Sequence, residues 1–129
     1  MKNNPGKKKK PTVAKLKKVA DKVFSDYIRQ RDGYTCFTCG KKGDKTSIQN
    51  GHYVSRGFNS LRYSERNTAA QCVGCNIFRK GNLDEYALRL RQKYGSDILE
   101  QLAAEKKKIK QFTIRELEEI IKKYDHARL

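Results

Sequence analysis

Two cysteine pairs constrain this chain more than any other feature. Cys36-x-x-Cys39 and Cys72-x-x-Cys75 are separated by 32 residues. A CxxC turn presents both of its sulfurs to one point, so two such turns can gather four thiolates around a single tetrahedral ion. Zinc is favoured because it accepts four-sulfur coordination and has no redox chemistry. With Cys36, Cys39, Cys72 and Cys75 all bound, the ion has no open position, so the expected site is structural. A pair of disulfides or an iron centre are the alternative readings of the same spacing.

A metal clip also answers a shortage. The 129 residues are 36% apolar and 34% charged, with no Trp, which is lean for a domain of this size. No apolar run approaches about 18 residues, so no membrane span is expected. The N-terminus is basic and lacks the apolar stretch of a secretory signal. The expectation is a cytoplasmic protein with reduced thiols.

The net charge is +16, and it is unevenly spread. Residues 1–31 carry 11 Lys and Arg against 2 acids, residues 32–96 carry 11 against 5, and residues 97–129 carry 8 against 7. Such a field favours a polyanionic partner, nucleic acid being the commonest. A lysine-rich solvated surface is the plainer reading. An anionic membrane is disfavoured, because no basic segment carries a strongly apolar insertion face.

Along the chain, "MKNNPGKKKKP" reads as a disordered basic arm over residues 1–11. Val13, Leu16, Ala20, Val23, Tyr27 and Ile28 then recur at helical spacing, with Thr12 able to cap the start and Gly33 to end it. Residues 34–72 read as short strands and loops. "TSIQNGHYVSR" has strand-type residues around Gly51, and "GFNSLRYSERNTAAQ" has no steady period and reads as a loop. "CVGCNIFRKG" begins a short helix that Gly81 would end. Three helices follow. Asn82 and Glu85 stand at capping-box spacing, as do Thr113 and Glu116, and Gly95 can close the first of them. The fold class expected is α+β. A zinc-clipped core with its leading helix would span 12–82, and a helical tail, a candidate dimerisation surface, would span 83–129.

If zinc ties the two knuckles together, residues 40–71 form a closed excursion. His52 lies within it, Asn67 near its end, and Asn76 directly after the second knuckle. "NGHYVSR", "ERNTAAQCVGCN" and "FRKGN" resemble the HNH (ββα-metal) nuclease motif. More closely, "VFSDYIRQRDGYTCFTCG", "GHYVSRG" and "AQCVGCNIFRKGN" are similar to the phage lambda NinG (Rap) recombination protein family. This resemblance runs from about Val23 through the C-terminal helices. It implies a phage or prophage protein and a zinc-stabilised HNH core. It also implies an endonuclease hydrolysing DNA phosphodiester bonds on branched recombination intermediates, such as Holliday junctions or D-loops. A homodimer would cut a junction symmetrically.

The resemblance assigns His52 as general base, Asn76 as ligand of a catalytic Mg2+ or Mn2+, and Asn67 as the loop residue that ties the strands together. The residues suit those roles. A neutral imidazole can take the proton of an attacking water. A carboxamide oxygen is a hard ligand for a hard cation. Arg56, four residues past His52, is expected on the scissile phosphate, or as a plain backbone contact. Arg62, Arg66, Arg79 and Lys80 are expected phosphate contacts without sequence readout. One departure stands out. Many HNH nucleases carry an Asp directly before the base, and here that position is Gly51. Asn50 and Glu65 are the other candidate donors. The plainer readings are a structural His52, a surface His126, an early-helix Asn76, an Asn82 serving as helix cap, and Tyr53, Phe58 and Phe78 in the core. The competing function is a non-catalytic, zinc-containing DNA-binding module. An RNA-directed enzyme is a third.

Overall fold

A computed structural model of the chain describes residues 10–127. The expected arm, 1–11, lies outside them apart from Lys10 and Pro11, and so does the side chain of His126. The chain runs α1 (Val13–Arg31), β1 (Ile48–His52), α2 (Asn59–Arg62) and β2 (Thr68–Cys72). A π-helical turn (Gly74–Phe78), α3 (Leu83–Tyr94), α4 (Ile98–Lys106) and α5 (Ile114–Ala127) follow. The class is α+β, with one two-stranded antiparallel sheet in which His52 pairs with Thr68 and Ile48 with Cys72.

Helix α1 forms where its periodicity and caps place it. The Thr12 hydroxyl accepts from the Lys15 amide at 3.2 Å, and the chain leaves through Gly33 at φ +60°. Its buried stripe is Ala20, Val23, Phe24 and Ile28. Phe24 meets Tyr124 of α5 edge-on, with ring centroids 4.8 Å apart. The last helix starts on the expected box. Thr113 Oγ1 accepts from the Glu116 amide at 3.1 Å, and Glu116 Oε1 accepts from the Thr113 amide at 3.0 Å.

Three local expectations are corrected. The stretch read as a loop to Gln71 contains α2 and most of β2. All five residues of β2 are buried, so the strand lies between packed layers and shows none of the polar alternation that marks a half-exposed strand. The short helix after the second cysteine pair is a π-helical turn, with the Arg79 amide donating to the Gly74 carbonyl at 2.9 Å. Asn82 makes no side-chain cap. It sits left-handed at φ 49° and turns its Nδ2 towards Cys75 Sγ at 3.6 Å.

The C-terminal helices are part of the core. Leu90, Ile98 and Leu102 share a buried cluster with Leu61, Ala69 and Tyr86. Tyr53 packs on Tyr86 with centroids 5.4 Å apart, as a core residue should. Phe58 and Phe78 do not join it, being 41% and 80% exposed. Among the described residues no helix is long and apolar enough to cross a membrane.

Candidate active site and metal centre

The four cysteines converge. Their Sγ atoms all lie within 4.8 Å of one another, and Cys39 Sγ is 3.7 Å from Cys72 Sγ. A disulfide would hold two sulfurs about 2.05 Å apart. A tetrahedral ion with bonds of about 2.3 Å separates them by roughly 3.8 Å, so the cluster fits zinc. The elements explain the convergence: Cys72 ends β2, Cys75 stands in the π-helical turn, and Cys36 is held by its amide bond to the Lys41 carbonyl at 2.8 Å. Crowding splits the thiols. Burial pushes Cys36 up, but the Thr38 hydroxyl and backbone amides outweigh it and bring the thiol to about 6. At Cys39 the Lys41 amide favours the thiolate, yet desolvation and the three neighbouring sulfurs prevail and push it up to about 12. A bound cation relieves that conflict by accepting all four thiolates.

Beside this clip, α1, β1 and the π-helical turn enclose a cleft of about 530 Å³. Asp21, Asn50, His52, Arg56, Arg62 and Asn76 face it. The tertiary structure thus brings His52 and Asn76 to one cleft. His52 is half-buried, and its Nε2 lies 2.9 Å from the Arg62 carbonyl. A carbonyl only accepts, so Nε2 carries the proton and Nδ1 keeps its lone pair. Desolvation lowers the His52 pKa below its usual 6.5, and the Arg56 and Arg62 charges add to this. The Arg62 carbonyl and the Asp21 charge oppose it. The imidazole is therefore neutral at neutral pH. Asn76 donates its Nδ2 to Gln49 Oε1 at 2.8 Å, leaving its Oδ1 without a partner among the described residues. Asn50 Oδ1 is buried with no hydrogen-bond partner.

Some expected residues fall elsewhere. Asn67 is fully buried, outside the cleft; its Oδ1 accepts from the Val54 amide and its Nδ2 donates to the Val54 carbonyl, each at 2.9 Å. It ties the loop after β1 to the start of β2. Arg62, expected as a phosphate contact, lines the cleft with its guanidinium forked onto Asp21 at 2.8 and 2.6 Å. Glu65 bonds the hydroxyls of Tyr27 and Tyr124 at 3.0 and 3.1 Å, away from the cleft. Arg66 is held by Gln101 of α4 at 2.7 Å. Arg56, its side chain 64% exposed, lies 3.9 Å from Asp21 and lines the cleft. Arg79 and Lys80 are exposed.

Two positioning residues carried no recognisable sequence signal. Asp21 reads as a solvated acid on a basic helix, yet it holds Arg62, whose carbonyl holds His52. Burial raises its carboxyl pKa, but hydrogen bonds from Arg62 and Tyr63 outweigh that and keep it below the usual range. Gln49 orients Asn76 across the sheet edge. Only the fold pairs them.

Gly51 now has a cause. A Cβ there would stand 1.9 Å from Gln71 Oε1, and the Gln71 amide is fixed by Thr38 Oγ1 at 3.1 Å and the Gly81 carbonyl at 2.8 Å. Placing an acid at this position should therefore fail. Gly51→Asp is expected to cost about 1–3 kcal/mol from overpacking alone, plus the burial of a carboxylate. Thermal melting checks this, and a variant as stable as wild type would show that Gln71 can move aside.

A four-cysteine cluster that could hold a zinc ion, beside a two-stranded sheet and a cleft lined by an imidazole and carboxamides, defines a small α+β protein. The family model described as "Bacteriophage Lambda NinG protein" matches residues 2–128. "Protein ninG" of Escherichia phage 933W is 32% identical over 111 residues, covering 83% of this chain and 53% of that protein. The Escherichia phage lambda protein of the same name is 35% identical over 89 residues, 66% of this chain and 42% of that protein. That of Salmonella phage P22 is 34% identical over 95 residues, 70% and 45%. The chain belongs to the NinG family. It spans about half the length of these curated relatives. No solved structure matches it.

Proposed function

We propose that this chain is a metal-dependent endonuclease of the HNH type, hydrolysing DNA phosphodiester bonds, with branched recombination intermediates as substrate. The observation that carries the reading is that His52 and Asn76 line one cleft, each with an unpartnered atom suited to its role: a lone pair on Nδ1 and a hard oxygen, Oδ1. The donor set fits a Mg2+ or Mn2+ ion. Asn76 Oδ1 and the orphaned Asn50 Oδ1 are hard, neutral oxygens, and such an ion completes its shell with water and phosphate oxygens. When bound, the cation would neutralise the scissile phosphate and the departing 3′ oxygen.

The protein supplies the rest. His52 Nδ1 takes the proton of the attacking water, and the Arg62 carbonyl and the Asp21 carboxylate steady the imidazolium that results. Asn67 keeps the loop after His52 in place. Arg56 reaches over the cleft for the phosphate, while Arg79 and Lys80 add backbone contacts at its edge. Symmetric cutting of a junction needs two such clefts, and hence a homodimer on this reading.

The test is nicking of supercoiled plasmid and of a four-way junction with Mg2+, Mn2+ or EDTA, followed across pH. Cutting is expected with either metal and none with EDTA. Protonated His52 cannot act as base, so the rate should fall on the acid side, with a midpoint below 6.5 because burial depresses that pKa. The same depression sets a stability trend. Below about 6.5 the unfolded chain binds more protons than the native one, so stability should fall as pH drops from about 6.5 towards the lower native pKa, and His52 should cost no stability above about 6.5. A wild-type protein that binds DNA but cuts nothing with any metal would be the non-catalytic zinc module instead.

A further inference from the structure

The segment directly after Asn76 is unlike the rest of the surface. Ile77 is 55% exposed and Phe78 80% exposed, in a chain whose charged residues nearly equal its apolar ones in number. Ile77 also lines the cleft. The next two residues, Arg79 and Lys80, are exposed and form no ion pair among the described residues. An apolar edge flanked by two unpaired cations, continuous with the cleft, is an amphipathic ledge.

Its backbone is held rigidly. The Arg79 amide donates back to Gly74 at 2.9 Å and the Gly81 amide to Cys75 at 2.9 Å. Cys75 itself belongs to the four-cysteine cluster. The wide π-helical turn thus projects Phe78 outward from a base fixed by these backbone bonds and by the four-cysteine cluster. A ring presented on a fixed backbone loses little freedom on binding.

We infer that the Ile77–Phe78 ledge is a stacking platform for an unpaired nucleobase next to the scissile phosphate, with Arg79 and Lys80 on the flanking phosphates. This rests on the reading of the cleft as a DNA site. Every base has an apolar face, so stacking needs no sequence readout. The cations fit a polyanion, and they disfavour a second copy of a chain carrying +16. Paired bases in a duplex are already stacked on each other, so the platform favours DNA whose bases are splayed at a branch point. It would give this cleft its preference for branched over linear DNA.

The chain contains no Trp, so Phe78→Trp creates a single fluorophore on the ledge. The test uses this variant of the 129-residue chain, prepared with zinc, in EDTA-free buffer with Ca2+ in place of Mg2+. It compares a four-way junction carrying unpaired bases at its centre with a linear duplex of equal length. Anisotropy on labelled DNA reports binding independently. The junction is expected to quench the Trp emission strongly and the duplex weakly. In parallel, Phe78→Ala is expected to weaken junction binding by about tenfold while the affinity for duplex stays within about twofold. Junction binding without quenching, or equal quenching by both DNAs, would overturn the inference. So would a Phe78-dependent shift to a larger species in light scattering without DNA, since that would make the ledge a protein contact. Quenching in a protein that cuts nothing would sink the nuclease reading and leave the platform standing.

Discussion

Exchange of Cys72 for serine is expected to abolish the cooperative thermal transition and to release zinc. Cys72 closes β2, in register with Ile48 of β1, and its sulfur faces Cys39 of the other pair. Three ligands would remain, in a core where Cys36, Cys72 and Cys75 are themselves buried with Ile48 and Ala70. Structural zinc sites contribute about 10–16 kcal/mol of apparent binding free energy near neutral pH. A small domain has about 5–15 kcal/mol of stability in all. Loss of most of the first quantity is therefore comparable to the whole of the second. Circular dichroism melting with a colorimetric zinc assay measures both sides. Wild type should yield one zinc per chain on denaturation and melt in a single step, and the serine variant should do neither. A wild-type protein that melts sharply without any bound metal would remove the clip from the account of this fold.

Replacing His52 with alanine is the second large effect, and of the opposite kind. Loss of a positioned general base is worth about 10²- to 10⁴-fold in rate. The fold should survive, because among the described residues the His52 side chain makes one hydrogen bond, to the Arg62 carbonyl. That carbonyl opens onto the cleft once the ring is gone and can bond to water. DNA affinity should hold within about twofold, since the phosphate contacts are elsewhere. Gel assays of nicking beside anisotropy on the same DNA separate the two quantities. Undiminished cutting would show that another group takes the proton. Lost affinity with unchanged turnover would make His52 a binding residue.

These two variants probe parts of the protein that differed in how readable they were. The cysteine spacing announced its geometry, because a CxxC turn is a local shape that needs no distant partner. Helix α1 and the Thr113–Glu116 box were equally local: periodicity, a capping hydroxyl and a reciprocal side-chain bond all fall within a few residues. Strand β2 was missed because it is buried on both faces, which erases the alternation a strand normally writes into its sequence. Asn82 was misjudged because its side chain turns to Cys75 and not to its own helix.

The sequence by itself determined the pairing of the four cysteines, the amphipathic first helix and the positive charge. What those residues do to each other was decided only in three dimensions. Arg62 looked like a free cation until Asp21, 41 positions away, took its charge and turned its carbonyl into the anchor of His52. Gly51 looked like a defect until Gln71 was seen to occupy the space a side chain would need. Phe78 looked like core until the wide turn carried it outward. The physical reason is common to all three. Short-range preferences of the backbone are written into neighbouring residues. The environment of a side chain is set by groups distant in sequence, and burial, pairing and exposure exist only once the chain has closed on itself.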